Sequence, residues 1–143
     1  MPAMRTKEFL ELLPDLLRQQ LPEDLANFQV AHRITSLTKF YYNHPSFHYE
    51  VWIQKRRKEV ELGLHFESDP DSNLEQLDLL REKADQIHGS LGDEVELHEW
   101  DRGWTRAHET LELDPLDDDF LVEISFRLSA MIQTLEPILR GES

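Results

Sequence analysis

The sequence contains no cysteine. That removes any disulfide framework, any thiolate metal site and any cysteine nucleophile. Glycine is also scarce, with five in 143 residues, and none stands at the spacing of a phosphate-binding loop. There is no G-x-S-x-G nucleophile elbow and no HExxH zinc signature. Apolar runs are short, and none approaches the ~20 residues that a membrane-spanning helix needs. Met1 to Glu8 lacks the apolar centre of a secretion signal, so a cytoplasmic location is expected. Positive charge is short as well: 15 lysines and arginines against 29 acids leave a net charge of −14. Such an excess opposes both nucleic acid, which binds through phosphate neutralisation, and anionic membrane surfaces. Neither is expected as a partner. A basic or apolar polypeptide segment suits the charge better.

What is present suffices for a core, with 39% apolar and 9% aromatic residues. Between Thr6 and Gln20, Phe9, Leu10, Leu13, Leu16 and Leu17 recur at helical spacing. Thr6 is the expected N-cap, and Pro14 implies either a kink or a start near Leu12. From Phe28 to Glu67 the period changes to two. Ile34 to Tyr42 reads as one strand rich in β-branched and aromatic residues. Phe47 to Gln54 alternates Phe47, Tyr49, Val51 and Ile53 against His48, Glu50, Trp52 and Gln54. After the charged turn Lys55–Lys58, Val60, Leu62, Leu64 and Phe66 face inward, with Glu61, His65 and Glu67 outward. Ser72 and Glu75 form a capping box that opens a helix running to Gly89 or Gly92.

A second hairpin pairs Glu94–Trp100 with Trp104–Leu113 across Asp101-Arg102-Gly103, with glycine where a left-handed residue is needed. Asp117 to Asp119 caps a last helix carrying Leu121, Ile124, Leu128, Met131, Ile132, Leu135 and Leu139. The expected fold is therefore one α+β domain over residues 1–143, in the order α-βββ-α-ββ-α. It is a two-layer arrangement of a five-stranded antiparallel sheet with three helices.

The second hairpin concentrates chemistry. In its simplest register His98 faces Arg106 and Glu96 faces His108, so both pairs share one face with Trp100 and Trp104. His48, Glu50, Trp52 and His65 join them if the strands form one sheet. Tryptophan and arginine are the residues that dominate binding hot spots, which makes Trp52, His98, Trp100, Trp104, Arg106 and His108 a candidate interface. The same tryptophans would also serve as core beneath the first or last helix. His98, His108 and Glu96 are suitable ligands for zinc, and Glu96 with His108 is a conceivable acid–base pair if a pocket surrounds it. Lys55–Lys58 is the pattern of a solvated turn that blunts a sheet edge, with phosphate contact as its sharper alternative.

The element order over nearly the whole chain, together with its acidity, resembles the type III secretion chaperone-like fold. Val60 to Leu139, with Leu91-Gly92 followed by an acidic strand ending at Glu99-Trp100, is also similar to an uncharacterised bacterial domain. The first resemblance implies a homodimer that holds an unfolded protein segment; neither supplies catalytic residues. The leading expectation is thus a non-enzymatic, chaperone- or adaptor-like protein-binding domain. It is expected to be homodimeric, with a protein or peptide partner and no resident cofactor. The alternative is a small metal-dependent enzyme built on His98, His108 and Glu96.

Overall fold

The computed structural model describes residues 3–142 and, for His32 and Arg33, the backbone alone. It shows an α+β fold. Helix α1 (Thr6–Gln20) leads through a short 3-10 turn (Glu23–Leu25) into four strands: β1 (Gln29–Ile34), β2 (Leu37–Tyr41), β3 (Phe47–Gln54) and β4 (Glu59–Phe66). Helices α2 (Pro70–Arg81) and α3 (Ala84–Leu91) precede β5 (Glu96–Asp101), β6 (Trp104–Glu112) and α4 (Asp118–Leu139). The strands form one sheet in the order β1-β2-β3-β4-β6-β5, every pair antiparallel.

The sheet has six strands, not the five expected, because the run read as a single strand from Ile34 to Tyr42 begins inside a hairpin. Ile34 pairs directly with Leu37 across a turn at Thr35-Ser36, and a register shift lies between His32 and Ile34. Hydroxyl residues make that turn without the glycine or proline that would mark it in a sequence. Among the described residues the helices number four rather than three, because the expected helix from Ser72 to Gly89 or Gly92 breaks near Lys83. There the Lys83 N–H donates to the Leu80 carbonyl, a tighter closure than the α-helical one. A new helix then starts, and Leu80 and Ile87 both reach the core.

Helix ends follow capping chemistry, though not always at the residues expected. The first turn of α2 is capped by Asp69, whose carboxylate accepts the Ser72 N–H at 3.0 Å, with Pro70 as the first helical residue. Ser72 is therefore a partner of the cap and not the cap itself. Thr6 lies one position inside α1, whose N-cap is Arg5. Pro14 is accommodated within a continuous α1 and is buried. Asp117 caps α4 as expected, accepting the Phe120 N–H at 2.9 Å.

Helices pack on one face of the sheet. Phe9, Leu10, Leu13 and Leu17 of α1 and Phe120, Ile124, Leu128, Met131, Ile132 and Leu135 of α4 meet Tyr49, Val51, Ile53, Leu62, Leu64 and Phe66. Two polar contacts fix α4 over the strands. The Tyr49 hydroxyl donates to Glu136 at 2.7 Å, and Arg127 donates twice to Glu109, at 3.1 and 2.9 Å. Period-two alternation sends the intervening residues to the opposite face. There the centre of β4 carries no side chain. Gly63 pairs with Glu50 and with His108, and a Cβ at Gly63 would lie 2.7 Å from the His108 Cβ.

Gly63→Ala is therefore expected to destabilise the protein by about 1–3 kcal/mol through overpacking. Gly89→Ala, in α3 with nothing near its added methyl, is expected to be neutral or to stabilise by up to ~1 kcal/mol. Urea denaturation of the two variants checks the contrast.

Candidate functional site

The outer face of the sheet is a grid of ionisable residues. Along one row of cross-strand pairs run Tyr41, His48, His65, Arg106 and His98; along the next run Lys39, Glu50, Gly63, His108 and Glu96. The pairings His98–Arg106 and Glu96–His108 are those expected from the hairpin, and β6 lies between β4 and β5, so the hairpin joins His65 and Glu61 directly. The turn itself is two residues, Arg102 and Gly103, both left-handed. A register shift between Glu99 and Asp101 places Trp100 at an irregularity of the edge strand.

Side chains here bury one another. His65 is 1% exposed, and His48, Glu50, Glu61 and His108 are also buried. The tryptophans neither pack under a helix nor stand free. Trp100 meets His65 edge-on at 5.6 Å, lies 5.9 Å from Trp104, and takes the Arg106 guanidinium 4.6 Å from its ring centroid. With 39% of its surface exposed, it roofs the polar cluster. Trp52 sits apart, paired with Leu37 and Glu61. The six residues of the expected interface thus share a face, and five of them converge at its β6–β5 side.

The cluster has two halves with different electrostatics. In the inner half, Glu50 bridges two histidines, with one oxygen 2.8 Å from His48 Nε2 and the other 3.4 Å from His65 Nε2. His48 Nδ1 lies 2.8 Å from the Pro45 carbonyl, so each of its nitrogens has an oxygen acceptor at 2.8 Å. Burial opposes charge on His65, but the carboxylates of Glu61 and Glu67 and the charge of Glu50 outweigh it and raise its pKa to about 9. At 3.4 to 3.7 Å these are charge contacts and not directed hydrogen bonds. Glu67 is correspondingly held below the usual carboxylate range: burial works against this, and His65, His48 and Lys39 prevail.

In the outer half the imidazoles differ. Burial lowers the pKa of His98, and the charges of His108 and Arg106 lower it further against the opposing effect of Glu96. Its Nε2 accepts a hydrogen bond from Arg106 Nε at 3.1 Å, which places the ring proton of the neutral form on Nδ1. His108 stands between two carboxylates, its Nδ1 3.2 Å from Glu61 and its Nε2 3.2 Å from Glu96. Glu61 stays ionised. Burial opposes its charge, yet His108, His65 and Arg106 drive its pKa far below the ordinary value. Both nitrogens of His108 and of His65, and one oxygen of Glu61, are buried without a hydrogen-bond partner among the described residues. Unpaired groups of this kind are costly.

Among the described residues three trios bring ligand atoms within 4.8 Å of one another: Glu96, His98 and His108; His48, Glu50 and Glu67; and Glu50, Glu61 and His65. The second and third lie beside Lys39, whose ammonium is 3.8 Å from Glu50 and 3.9 Å from Glu67, and the third contains His65, whose pKa is raised to about 9. The first combines two imidazoles with a carboxylate that is 64% exposed at the sheet edge. It coincides with the ligand set expected from the sequence. Glu50, Glu61 and Glu67 were expected on outward strand faces, but their pairing with His48, His65 and His108 was not foreseen. A signal existed in the facing alternations His48-x-Glu50 and Glu61-x-x-x-His65-x-Glu67, which are charge-complementary once β3 and β4 are paired.

The raised pKa of His65 fixes a pH dependence. The folded state holds the proton more tightly than the unfolded chain, so this contribution is fully present below pH 6.5 and lost as pH rises through about 9. Stability measured by urea midpoint is expected to fall across that window, by on the order of 3 kcal/mol if His65 acted alone. His65→Gln should flatten the slope. Among the described residues no helix is long and apolar enough to cross a membrane. The sequence matches no protein-family model, and no curated protein matches it significantly.

Proposed function

We propose that this protein binds a divalent transition metal of the zinc type on the outer sheet face, through Glu96, His98 and His108. The observation that carries the reading is the position of His108. One of its nitrogens lies 3.2 Å from the prospective ligand Glu96 and the other 3.2 Å from the buried carboxylate of Glu61, charge contacts that are not aligned as hydrogen bonds. Zinc-binding imidazoles characteristically pass their second N–H to such a carboxylate, which fixes the ring and strengthens it as a ligand. A tetrahedral site holds its ligand atoms roughly 3.4 Å apart, and Glu96 already lies 3.2 Å from His108 Nε2 and 3.7 Å from His98 Nδ1. Binding by His98 breaks its contact with Arg106, which retains Glu61 and Trp100 as partners. Two imidazoles and one carboxylate leave a fourth position for water, the arrangement that catalytic zinc sites use.

The purified protein is expected to take up one equivalent of zinc with micromolar or tighter affinity. His98→Ala combined with His108→Ala should abolish uptake, whereas Lys39→Ala should leave it intact. Calorimetry and elemental analysis provide the readout. Uptake far below one equivalent, or uptake that survives the double substitution, would sink the proposal.

A second reading, the homodimeric protein-holding role implied by the secretion-chaperone resemblance, is favoured by the exposed edge of Trp100. It requires Trp100→Ala with Trp104→Ala to lower the mass seen by analytical ultracentrifugation. An unchanged mass with a folded circular dichroism spectrum would dismiss an interface on this face.

A further inference from the structure

At the end of the sheet where the β1–β2 and β3–β4 turns meet the start of α1, the charge of the molecule reverses. An open cleft of about 900 Å³ is bounded there by Arg5, Lys7, Lys55, Arg56 and Arg57. These are five of the chain's 15 lysines and arginines, and among the described residues no carboxylate side chain lines the cleft although the chain has 29. Among the described residues Arg5, Lys55, Arg56 and Arg57 have no ion-pair partner, and Lys7 has only a 3.9 Å contact with the exposed Glu11. Like charges gathered without counterions repel one another, so the cluster is an unfavourable arrangement that an anion relieves.

Three further features point the same way. The start of α1 lines the cleft through Arg5, Thr6 and Lys7; its N-cap Arg5 makes no side-chain cap hydrogen bond, and Glu8, the acid of its first turn, lies outside the lining. The Thr6 hydroxyl, also in the lining, is buried without a hydrogen-bond partner among the described residues. The half-buried Trp52 supplies an aromatic wall beside the cations.

We infer that this cleft is a binding site for a small phosphorylated ligand carrying a planar ring, a mononucleotide in size and chemistry. Arginine forks match phosphate oxygens in pairs, the helix start and Thr6 offer further donors, and Trp52 stacks on the ring. The volume suits a ligand of this size. A polynucleotide suits it poorly, because its extended phosphate backbone would run onto the remaining surface of a chain with net charge −14. This inference does not depend on the metal proposal, and the two sites share no ligand-binding residue.

The test is calorimetric titration of the intact protein with AMP, adenosine, inorganic phosphate and a single-stranded oligonucleotide of roughly 12 residues. AMP is expected to bind saturably, phosphate more weakly, and adenosine at least ~10-fold more weakly than AMP. Arg56→Ala with Arg57→Ala, both exposed, should weaken AMP at least ~10-fold while zinc uptake and the circular dichroism spectrum stay unchanged. Trp52→Phe should retain phosphate binding and reduce the preference for AMP over phosphate. The inference is overturned by no AMP binding at millimolar concentration, by equal affinity for adenosine, or by an unaffected double variant. Tighter binding of the oligonucleotide than of AMP would overturn it in favour of a polynucleotide surface.

Discussion

A missing side chain at the centre of β4 is what allows the outer face to exist in its observed form. At Gly63 the strands approach so closely that even a methyl group would collide with the Cβ of His108. With that position empty, Glu50, Glu61, His65 and His108 fold toward one another over the sheet and exclude water. Every other property of the face follows from this closure. Desolvation makes each charge costly, and the residues respond by pairing: carboxylates with imidazolium rings on one side, Arg106 with Glu61 on the other. The tryptophans then act as a roof over groups that the absent helix layer would otherwise have left exposed.

The same principle keeps the opposite face in register. Glu109 lies on the helix side of β6, where an unpaired carboxylate would be severely unfavourable, and Arg127 meets it with two parallel hydrogen bonds. Glu136 receives the Tyr49 hydroxyl in the middle of the sheet. Apolar packing alone tolerates small slides of a helix across strands; these directional contacts do not. The helix layer is thereby locked to β3 and β6, the strands that carry His48, Arg106 and His108 to the other side.

Much of this was legible in the sequence, and the physical reasons are specific. The hairpin pairs His98–Arg106 and Glu96–His108 were readable because alternation fixes the face and Gly103 fixes the turn. Asp117 was readable as a cap because it precedes an unbroken helical pattern. The β1–β2 turn was not, since Thr35-Ser36 carries no backbone signature of a turn. The break at Lys83 was hidden because Leu80 and Ile87 keep their helical spacing across it. The burial of Glu50 and Glu61 depends on β6, and not β5, lying beside β4, which is a question of topology. A hint lay in Glu94, Glu96, Glu99 and Asp101, whose charges mark β5 as an edge strand. Lys55–Lys58 reads correctly as an exposed turn, but its meeting with Arg5 and Lys7, some fifty positions away in the chain, is a product of the fold.

The outer sheet face divides into a half where His65 holds a proton among carboxylates and a half proposed to bind a metal. The carboxylates around His65 are those of Glu50, Glu61 and Glu67, whereas His98, His108 and Glu96 are the group proposed to take the metal. Imidazole nitrogen–proton correlation NMR at neutral pH, before and after one equivalent of zinc, reads this division directly. A metal on Glu96, His98 and His108 is expected to leave His108 protonated at Nδ1 and ligated at Nε2, to move the His98 signals with it, and to leave His65 protonated on both nitrogens throughout. Unmoved signals from His98 and His108, or zinc-dependent changes confined to His48 and His65, would contradict it.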